Sequence, residues 1–558
     1  VKSLKIYRNI RRYRRIISTL VKYGFEDIVD RLRVEFLFRF GKKLSFKQEK
    51  RSILQKSLAE RLRLAFEELG TTFIKLGQIL SLRPDIIPED FTNEFSKLQD
   101  RVPPFPALDA REIVESQLKS PLDGLFRSFS EEPVAAASIA QVHRGITKRG
   151  EPVAVKIQRP GIRDTIETDL DILFDLANLA EQSVPSLKLY NPVKLVEEFA
   201  TNIRRELDFN REGRSIELFR KNFEGDSTVY IPKVYWDLTT NSVLTVELIE
   251  GVKVSEREKL LAAGFDLRTI AANGAKLLLR QIFEHGFFHA DPHPGNIFII
   301  GDNVIVPLDY GLVGYVDDEM RQKIATALLA LANRDVNRLT RVFIEMGFVD
   351  QTDDLAGFRE DLKGFIDTYY NVPLEQINLG RALLEMIGLV RRYNLRIPTD
   401  FAVMAKALIT VEALGRELCP DFEMMTIAEP FIKRLYVKKF DPKRNLEQLL
   451  DATYDYSHLF RMMPSELASI LTKINSGRLT VQFEAKGMNQ LITELDRSSN
   501  RLSFSVIIAG ILVGSSLIVN LKVGPFLFGL PVIGLVGYFI AGVLGLWLVV
   551  AIMRSRRL

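Results

Sequence analysis

Three oxygen-bearing side chains stand in an order that phosphoryl transfer can use. Asp291 is followed five positions later by Asn296 and eighteen positions later by Asp309, which opens Asp309-Tyr310-Gly311. His289 lies two residues before Asp291. Asp291 and Asn296 share one loop, so both can approach a phosphoryl group from the same side. Residues 298–300 and 304–306 read as two short apolar strands around a Gly301-Asp302-Asn303 turn. Such a hairpin returns Asp309 beside Asn296, where a carboxylate and an amide oxygen can meet one hard cation such as Mg²⁺. The spacing predicts Asp291 as the group that orients an attacking water or hydroxyl, with Asn296 and Asp309 as metal ligands.

The same chemistry needs a cation for the phosphates of a nucleotide and an acid to hold that cation. Val153-Ala154-Val155 is a buried-strand pattern that would aim Lys156 at the α- and β-phosphates of ATP or ADP. Ahead of it runs Ala135-Ala136-Ala137-Ser138-Ile139-Ala140-Gln141-Val142. Aligned on Val142, this stretch stands where a kinase has its glycine-rich loop, with alanine at every glycine position. Ala135, Ala136, Ala137, Ser138, Ile139 and Val142 are therefore candidate nucleotide contacts. A methyl group disfavours positive φ, so this loop should hold a nucleotide in a different pose from a glycine-rich one. Residues 191–223 supply acids for Lys156: Glu206, Asp208 and Glu212. Read as one helix, the stretch points Glu206 and Glu212 about 120° apart, so each can meet a different partner. Residues 243–251 read as a strand running into a turn. In a kinase-like fold this is the hinge whose backbone reads adenine, with Glu247 and Ile249 as its contacts.

The elements that must position these residues follow from the rest of the chain. At 558 residues and 47% hydrophobic, it is long enough for two or three packed domains and is not disordered. One cysteine, Cys419, excludes an intramolecular disulfide and a multi-cysteine zinc site. Residues 1–25 hold eight Lys or Arg and no acid, which accounts for the net charge of +5; the remainder is close to neutral and is not a general nucleic-acid binder. This basic segment interleaves apolar and aromatic residues at helical spacing. It can lie on an anionic membrane face or pack on the protein with its charges in water. Residues 47–82 are mostly helical, with Gly70 as a break and Pro84 as a stop. Lys75 and Gln78 share one face of the second part. Residues 318–500 are mostly helical. No A-P-E motif follows Asp309-Tyr310-Gly311, and a helix begins almost at once, which argues against a platform for protein substrates. Residues 504–521 and about 526–553 are apolar and uncharged, each long enough to cross a bilayer. Residues 522–525 make a tight turn between them. Gly510 and Gly514 on the first run, and Gly537, Ala541 and Gly545 on the second, are spaced to let the helices approach closely. Arg501 before the pair, and Arg554, Arg556 and Arg557 after it, place both ends in the cytoplasm.

Taken together, the Lys75-x-Gly77-Gln78 motif, the alanine loop, Val153-to-Lys156, Glu206-x-Asp208, His289-to-Asn296 and Asp309-Tyr310-Gly311 resemble the AarF/UbiB/ADCK atypical kinase-like family, in particular its bacterial UbiB members. The resemblance runs from about residue 5 to the C-terminus, and its K-x-G-Q and E-x-D motifs are not general kinase features. It implies an α+β, protein-kinase-like two-lobed fold with an N-terminal helical extension and a C-terminal transmembrane helical hairpin. The expected divisions are 1–45, the basic amphipathic segment; 46–128, the helical extension with K-x-G-Q; 129–251, the N-lobe; 252–500, the helical C-lobe; and 501–558, the two transmembrane helices. The resemblance further implies that Lys75 and Gln78 lie over the nucleotide site near Glu206 and Asp208 as a regulatory cover, and that Glu212 pairs with Lys156. It implies an ATPase or unorthodox kinase that supports ubiquinone or prenylquinone biosynthesis with Mg²⁺ and ATP or ADP. The expected partners are membrane lipids, prenylquinone precursors and other quinone-biosynthesis proteins, with no nucleic acid. The expected place is the cytoplasmic (inner) membrane as a multi-pass protein with its kinase-like part in the cytoplasm, the thylakoid being the alternative. A nucleotide-gated scaffold is the competing reading. Aminoglycoside and choline kinases also carry H-x-D-x-x-x-x-N but lack K-x-G-Q.

Overall fold

The computed structural model describes residues 2–27, 53–81, 83, 87–98, 102–183, 191–332, 335–346, 355–369, 378–393, 395, 397–439, 488–521, 525–527 and 530–555. Residues 28–45 of the expected basic segment, residues 440–487 of the expected helical C-lobe, most of the 522–525 turn, and Arg556 and Arg557 lie outside them. The chain forms two compact units, residues 1–447 and 448–558.

The first unit opens with helices. In α1 (Lys2–Lys22), Ile16 and Ile17 are buried while Arg11, Arg14 and Arg15 face water. The helix thus packs on the protein through its apolar side and keeps these three charges in solvent, while Arg12 turns inward. The Ser57 hydroxyl accepts from Glu60 N and so caps α2 (Leu58–Leu69), satisfying one of the open amides of the first turn. Gly70, at φ +92°, breaks the chain before α3 (Thr71–Ser81), which carries Lys75 and Gln78. Phe66 of α2 stacks on Phe95 of α4 (Glu89–Phe95) and tilts against Phe73 of α3. Gly77 is needed for this packing, because a Cβ there would run into Leu98 and Phe66.

After α5 (Ala107–Leu118) and α6 (Leu122–Leu125), four strands form an antiparallel sheet in the order β1 (Phe126–Ala136), β2 (Ala140–Thr147), β3 (Pro152–Gln158) and β4 (Val243–Glu247). Successive strand side chains point to opposite faces. Along β3, Val153, Val155 and Ile157 are fully buried in a cluster with Phe105, Val114 and Phe126. Alternation therefore sends Lys156 to the other face, where α7 (Ile162–Ser183), α8 (Pro192–Glu206) and α9 (Phe209–Asn222) follow.

The C-lobe begins after a short β5 (Val252–Lys253), with α10 (Arg257–Ala262) and α11 (Leu267–Arg280). β6 (Phe287–His289) pairs with β9 (Val313–Tyr315), and β7 (Ile297–Ile300) pairs with β8 (Val304–Pro307). Among the described residues six helices complete the unit: α12 (Asp318–Ala332), α13 (Val336–Glu345), α14 (Leu355–Tyr369), α15 (Leu379–Arg392), α16 (Thr399–Leu418) and α17 (Met424–Lys439). One hydrophobic core runs from Phe66 and Phe73 of the extension through Phe199 and Phe219 to Phe288, Phe343 and Met404.

The second unit is a helical hairpin, α18 (Met488–Leu521) and α19 (Val532–Ser555). The apolar spans Ser498–Leu521 and Val532–Val549 have mean hydropathies of 2.4 and 2.3 and are long and apolar enough to cross a membrane. The close contact differs from the expected one. Gly510, Gly514 and Gly545 face open space, whereas Gly534 and Gly537 lie against Ser515, and Ala541 is buried. One residue of helix turns the side chain by about 100°, so the seam falls on Ser515 instead of the neighbouring Gly514. Ser516 and Tyr538 hydroxyls bond across the pair at 2.7 Å.

Candidate active site

Lys156 is held by a buried acid. Nζ of Lys156 donates to both carboxylate oxygens of Glu212, at 2.7 and 2.8 Å, and stands 3.9 Å from Asp309 Oδ1. Glu212 is buried in the first turn of α9, and Phe209 of the same turn lies under the ammonium at 5.2 Å. Burial alone would lower the Lys156 pKa. Glu212 and Asp309 more than offset it and hold the ammonium protonated above its ordinary value.

Glu212 is thus the acid that meets Lys156, and Glu206 and Asp208 do other work. The stretch 191–223 is not one helix. It breaks at Leu207 and Asp208, where the Asp208 carboxylate accepts from Asn210 N at 3.2 Å and caps α9. Asp208 therefore serves the helix start. Glu206, at the last position of α8, pairs with Lys75 of α3 at 2.5 Å and lies against Gly311. Lys75 also draws down the Asp309 carboxyl, so the charge of the extension is felt at Asp309. Gln78 is placed differently: its amide donates to Leu98 O at 3.2 Å and anchors α3 to its own neighbours.

The catalytic loop follows β6. Asp291 N donates to His289 Nδ1 at 3.2 Å, and His289 is buried and also hydrogen-bonded to the Asp309 backbone. Burial lowers the His289 pKa, which leaves a neutral ring with one acceptor nitrogen for Asp291 N and one donor for Asp309. The strand pair β7–β8 closes around Gly301 and Asn303, both at positive φ, with Ile300 opposite Val304. Leu308 N then donates to Asn296 O at 2.9 Å, which sets Asp309 next to Asn296. Asp309 lies deep in the protein, yet half of its side chain faces the open cleft. Burial pushes its carboxyl up, but Lys156, the Gly311 amide and Lys75 more than offset this and hold it at about 2.

Asp309 is therefore ionised, and Asn296 adds a neutral oxygen beside it. That donor set suits Mg²⁺, which takes few protein ligands and completes its shell with water and phosphate oxygens. Among the described residues no group of three or more His, Cys, Asp or Glu converges into an all-protein metal cage.

The alanine loop joins β1 to β2. Ala135, Ala136 and Ala137 stay open to solvent, and Val142 sits opposite Lys156 on the neighbouring strand. Ser138 and Ile139 are buried, Ile139 in the main core, so their side chains turn into the protein. Two contacts hold the loop: Thr71 Oγ1 of the extension donates to Ser138 O at 3.1 Å, and Arg159 Nε, just after β3, donates to Ala137 O at 2.9 Å. The tip of the loop is pinned where a glycine loop would flex. At the end of β4, the Glu247 carboxylate accepts from Tyr230 Oη at 2.8 Å and from Lys233 N at 3.2 Å. Its side chain is committed within the protein, so a base at this position would meet the backbone of Glu247.

Sequence reasoning missed Asp169. This fully buried acid of α7 takes Arg12 Nε and Nη2 at 2.6 and 2.8 Å and Thr72 Oγ1 at 2.6 Å. One carboxylate thus joins α1, α3 and α7. Its signal was an Asp on the apolar face of a helix, between Ile166 and Leu173.

Two lobes with a lysine–glutamate pair and a loop carrying aspartate and asparagine ahead of Asp-Tyr-Gly define a kinase-like protein. The ABC1 atypical kinase-like domain is matched over residues 97–343, the UbiB helical domain over 362–423 and the ABC1/UbiB kinase-like C-terminal domain over 486–554. A Clostridium pasteurianum protein, named for its position in the hydrogenase 1 5′ region, is 32% identical over 98% of this chain and 99% of its own length. Proteins named probable protein kinase UbiB are 35% identical: that of Marinobacter nauticus over 85% of this chain and 88% of its own, and that of Pseudomonas aeruginosa over 81% and 86%. A Mycobacterium tuberculosis protein solved as a complex with erythromycin shares the fold, with a TM-score of 0.50 and 24% identity over 69% of this chain and 98% of its own. The chain belongs to the ABC1/UbiB atypical kinase-like family.

Proposed function

We propose that this protein is a membrane-anchored atypical kinase or ATPase that binds Mg-ATP between its lobes and supports ubiquinone or prenylquinone biosynthesis. The phosphate goes to water or to a small lipid-like acceptor. The observation that carries the reading is the Lys156–Glu212 pair with Asp309 at 3.9 Å, since it assembles phosphate cation, anchoring acid and metal ligand in one place. Lys156 would hold the α- and β-phosphates, and Glu212 keeps it extended toward them. Asn296 and Asp309 would hold Mg²⁺, which when bound neutralises charge on the phosphate oxygens. Asp291, fixed through His289, orients the attacking oxygen and takes its proton. The apolar hairpin would anchor the protein with its kinase-like part on the cytoplasmic face, where ATP and membrane lipid are both in reach.

The test is release or transfer of γ-labelled phosphate by the purified full chain in lipid, with phenolic and prenylated precursors present. Asp291→Asn should lower turnover by at least about 100-fold with nucleotide binding intact. Undiminished turnover, or unchanged quinone output in cells, would sink the enzymatic reading. The Lys75–Glu206 contact and the pinned alanine loop favour one second reading, a scaffold whose shape responds to nucleotide. In that case Asp291→Asn would leave quinone output unchanged, whereas a variant that cannot bind nucleotide would abolish it.

A further inference from the structure

Helix α16 belongs to the helical end of the first unit, yet it lies along the catalytic loop. Near its start, Thr399 and Val403 share a small cavity with Ala290, the residue before Asp291. Near its end, Val411 and Leu414 share another with His289 and Pro292, on either side of Asp291. At about 100° per residue, the loop-facing positions 399, 403 and 414 fall with position 406 within an arc of about 80°. Position 406 is therefore on the face turned to the loop, midway between the two contacts. It is a lysine among apolar neighbours, Ala405 and Ala407 being fully buried. Burial lowers the Lys406 ammonium and the Asp291 carboxylate raises it.

The loop has its own basic residue, His293, but that ring is occupied locally. His293 Nδ1 accepts from Gly295 N at 3.1 Å, and its carbonyl accepts from Asn296 N at 2.9 Å. His293 thus shapes the turn that presents Asn296. A carboxylate that must sit close to a phosphoryl group needs a positive neighbour, or the two anions drive it aside.

We propose that Lys406 is a positioning residue for Asp291: its ammonium faces the Asp291 carboxylate from α16, keeps it aimed at the acceptor, and makes the helical C-lobe a part of the phosphoryl-transfer site. The proposal rests on the reading of Asp291 as the acceptor-orienting group. It also gives α16 two ends to hold. Thr399 Oγ1, at its first turn, accepts from Arg83 just beyond the cover helix α3, at 3.3 Å.

The experiment uses the purified full chain in lipid, with Lys406→Met, Lys406→Arg and each combined with Asp291→Asn. Lys406→Met should lower kcat for Mg-ATP by about 100-fold while leaving the affinity for a fluorescent ADP unchanged. Lys406→Arg should recover most of the rate, and Lys406→Met should slow Asp291→Asn no further. A lysine that merely packs α16 would lose melting temperature and nucleotide affinity along with kcat and would not be rescued through the charge; that pattern, or a wild-type rate in Lys406→Met, overturns the proposal. If the wild type turns over no ATP, the enzymatic reading fails and melting temperatures decide the pairing. Strongly non-additive shifts for Lys406→Met and Asp291→Asn uphold it, and additive shifts overturn it.

Discussion

Replacing Glu212 by glutamine tests how the phosphate lysine is held. The Glu212 carboxylate takes Lys156 at 2.7 and 2.8 Å and is 5% exposed; the next acid, Asp309, stands at 3.9 Å. The amide keeps the shape and one acceptor but takes a charge away from a site that water barely enters. Opposite charges at this separation attract by roughly 6 kcal/mol at an effective dielectric constant near 20, part of which desolvation of the pair cancels. Removing one member of a buried pair costs about 3–5 kcal/mol. Lys156 is 22% exposed and retains Asp309, which puts the expected loss at the low end, about 3 kcal/mol. At about 2 °C per kcal/mol for a large domain, the melting temperature should fall by about 6 °C. A second consequence follows from the geometry. Without Glu212, the ammonium closes on Asp309 and competes with Mg²⁺ for its oxygens. The assay is thermal melting of the purified chain with and without Mg-ADP: Glu212→Gln should melt lower and gain less from the nucleotide. A variant with the wild-type melting temperature and the wild-type gain from Mg-ADP would refute this account of the pair.

Three further outcomes are expected. The Asp309 carboxyl, held at about 2 by Lys156 against the upward push of burial, lies below its unfolded value near 4, so its contribution to stability is complete above that value and is lost as pH falls toward 2. The melting temperature of Asp309→Asn should therefore fall less steeply than that of wild type between about pH 4 and 2; equal slopes would count against the coupling. Arg12→Met strips the bidentate partner from the fully buried Asp169 and should cost about 3 kcal/mol, read as a lower melting temperature and faster proteolysis within residues 2–25. Gly537→Val should destabilise the hairpin in detergent, because the added Cβ meets the Ser515 hydroxyl, while Gly510→Val, which meets nothing, should be silent; equal effects would place the seam elsewhere.

What the sequence made legible was local. The β7–β8 turn could be read from a Gly-Asp-Asn between apolar runs, and with it the return of Asp309 to Asn296. Strand alternation aimed Lys156 away from the Val153–Val155–Ile157 core. What it left open depended on which partner the fold brings up. Glu206, Asp208 and Glu212 look alike in a charged helical run. Only the break at Leu207–Asp208 assigns one to Lys75, one to the start of α9 and one to Lys156. The inward turn of Ser138 and Ile139 was not legible, because the burial of a loop by a helix some seventy residues upstream leaves no local pattern. On the first run of the hairpin the seam was misplaced by one residue, while Gly537 and Ala541 of the second run do face it, since small-residue spacing recurs along both runs and does not fix which repeat faces inward.

Asp169 also sets an order of events during synthesis. Arg12 and its acid are 157 residues apart in the chain. At ribosomal speeds of about 5–20 residues per second, Arg12 of α1 is made roughly 8 to 30 s, and the end of α3 roughly 4 to 18 s, before the residue that neutralises Arg12 exists. Until then Ile16, Ile17 and Phe73, later fully covered, have no finished surface to close on. The N-terminal helices therefore cannot close on the protein until α7 has been made, and during that interval their apolar faces call for a chaperone or a nearby bilayer.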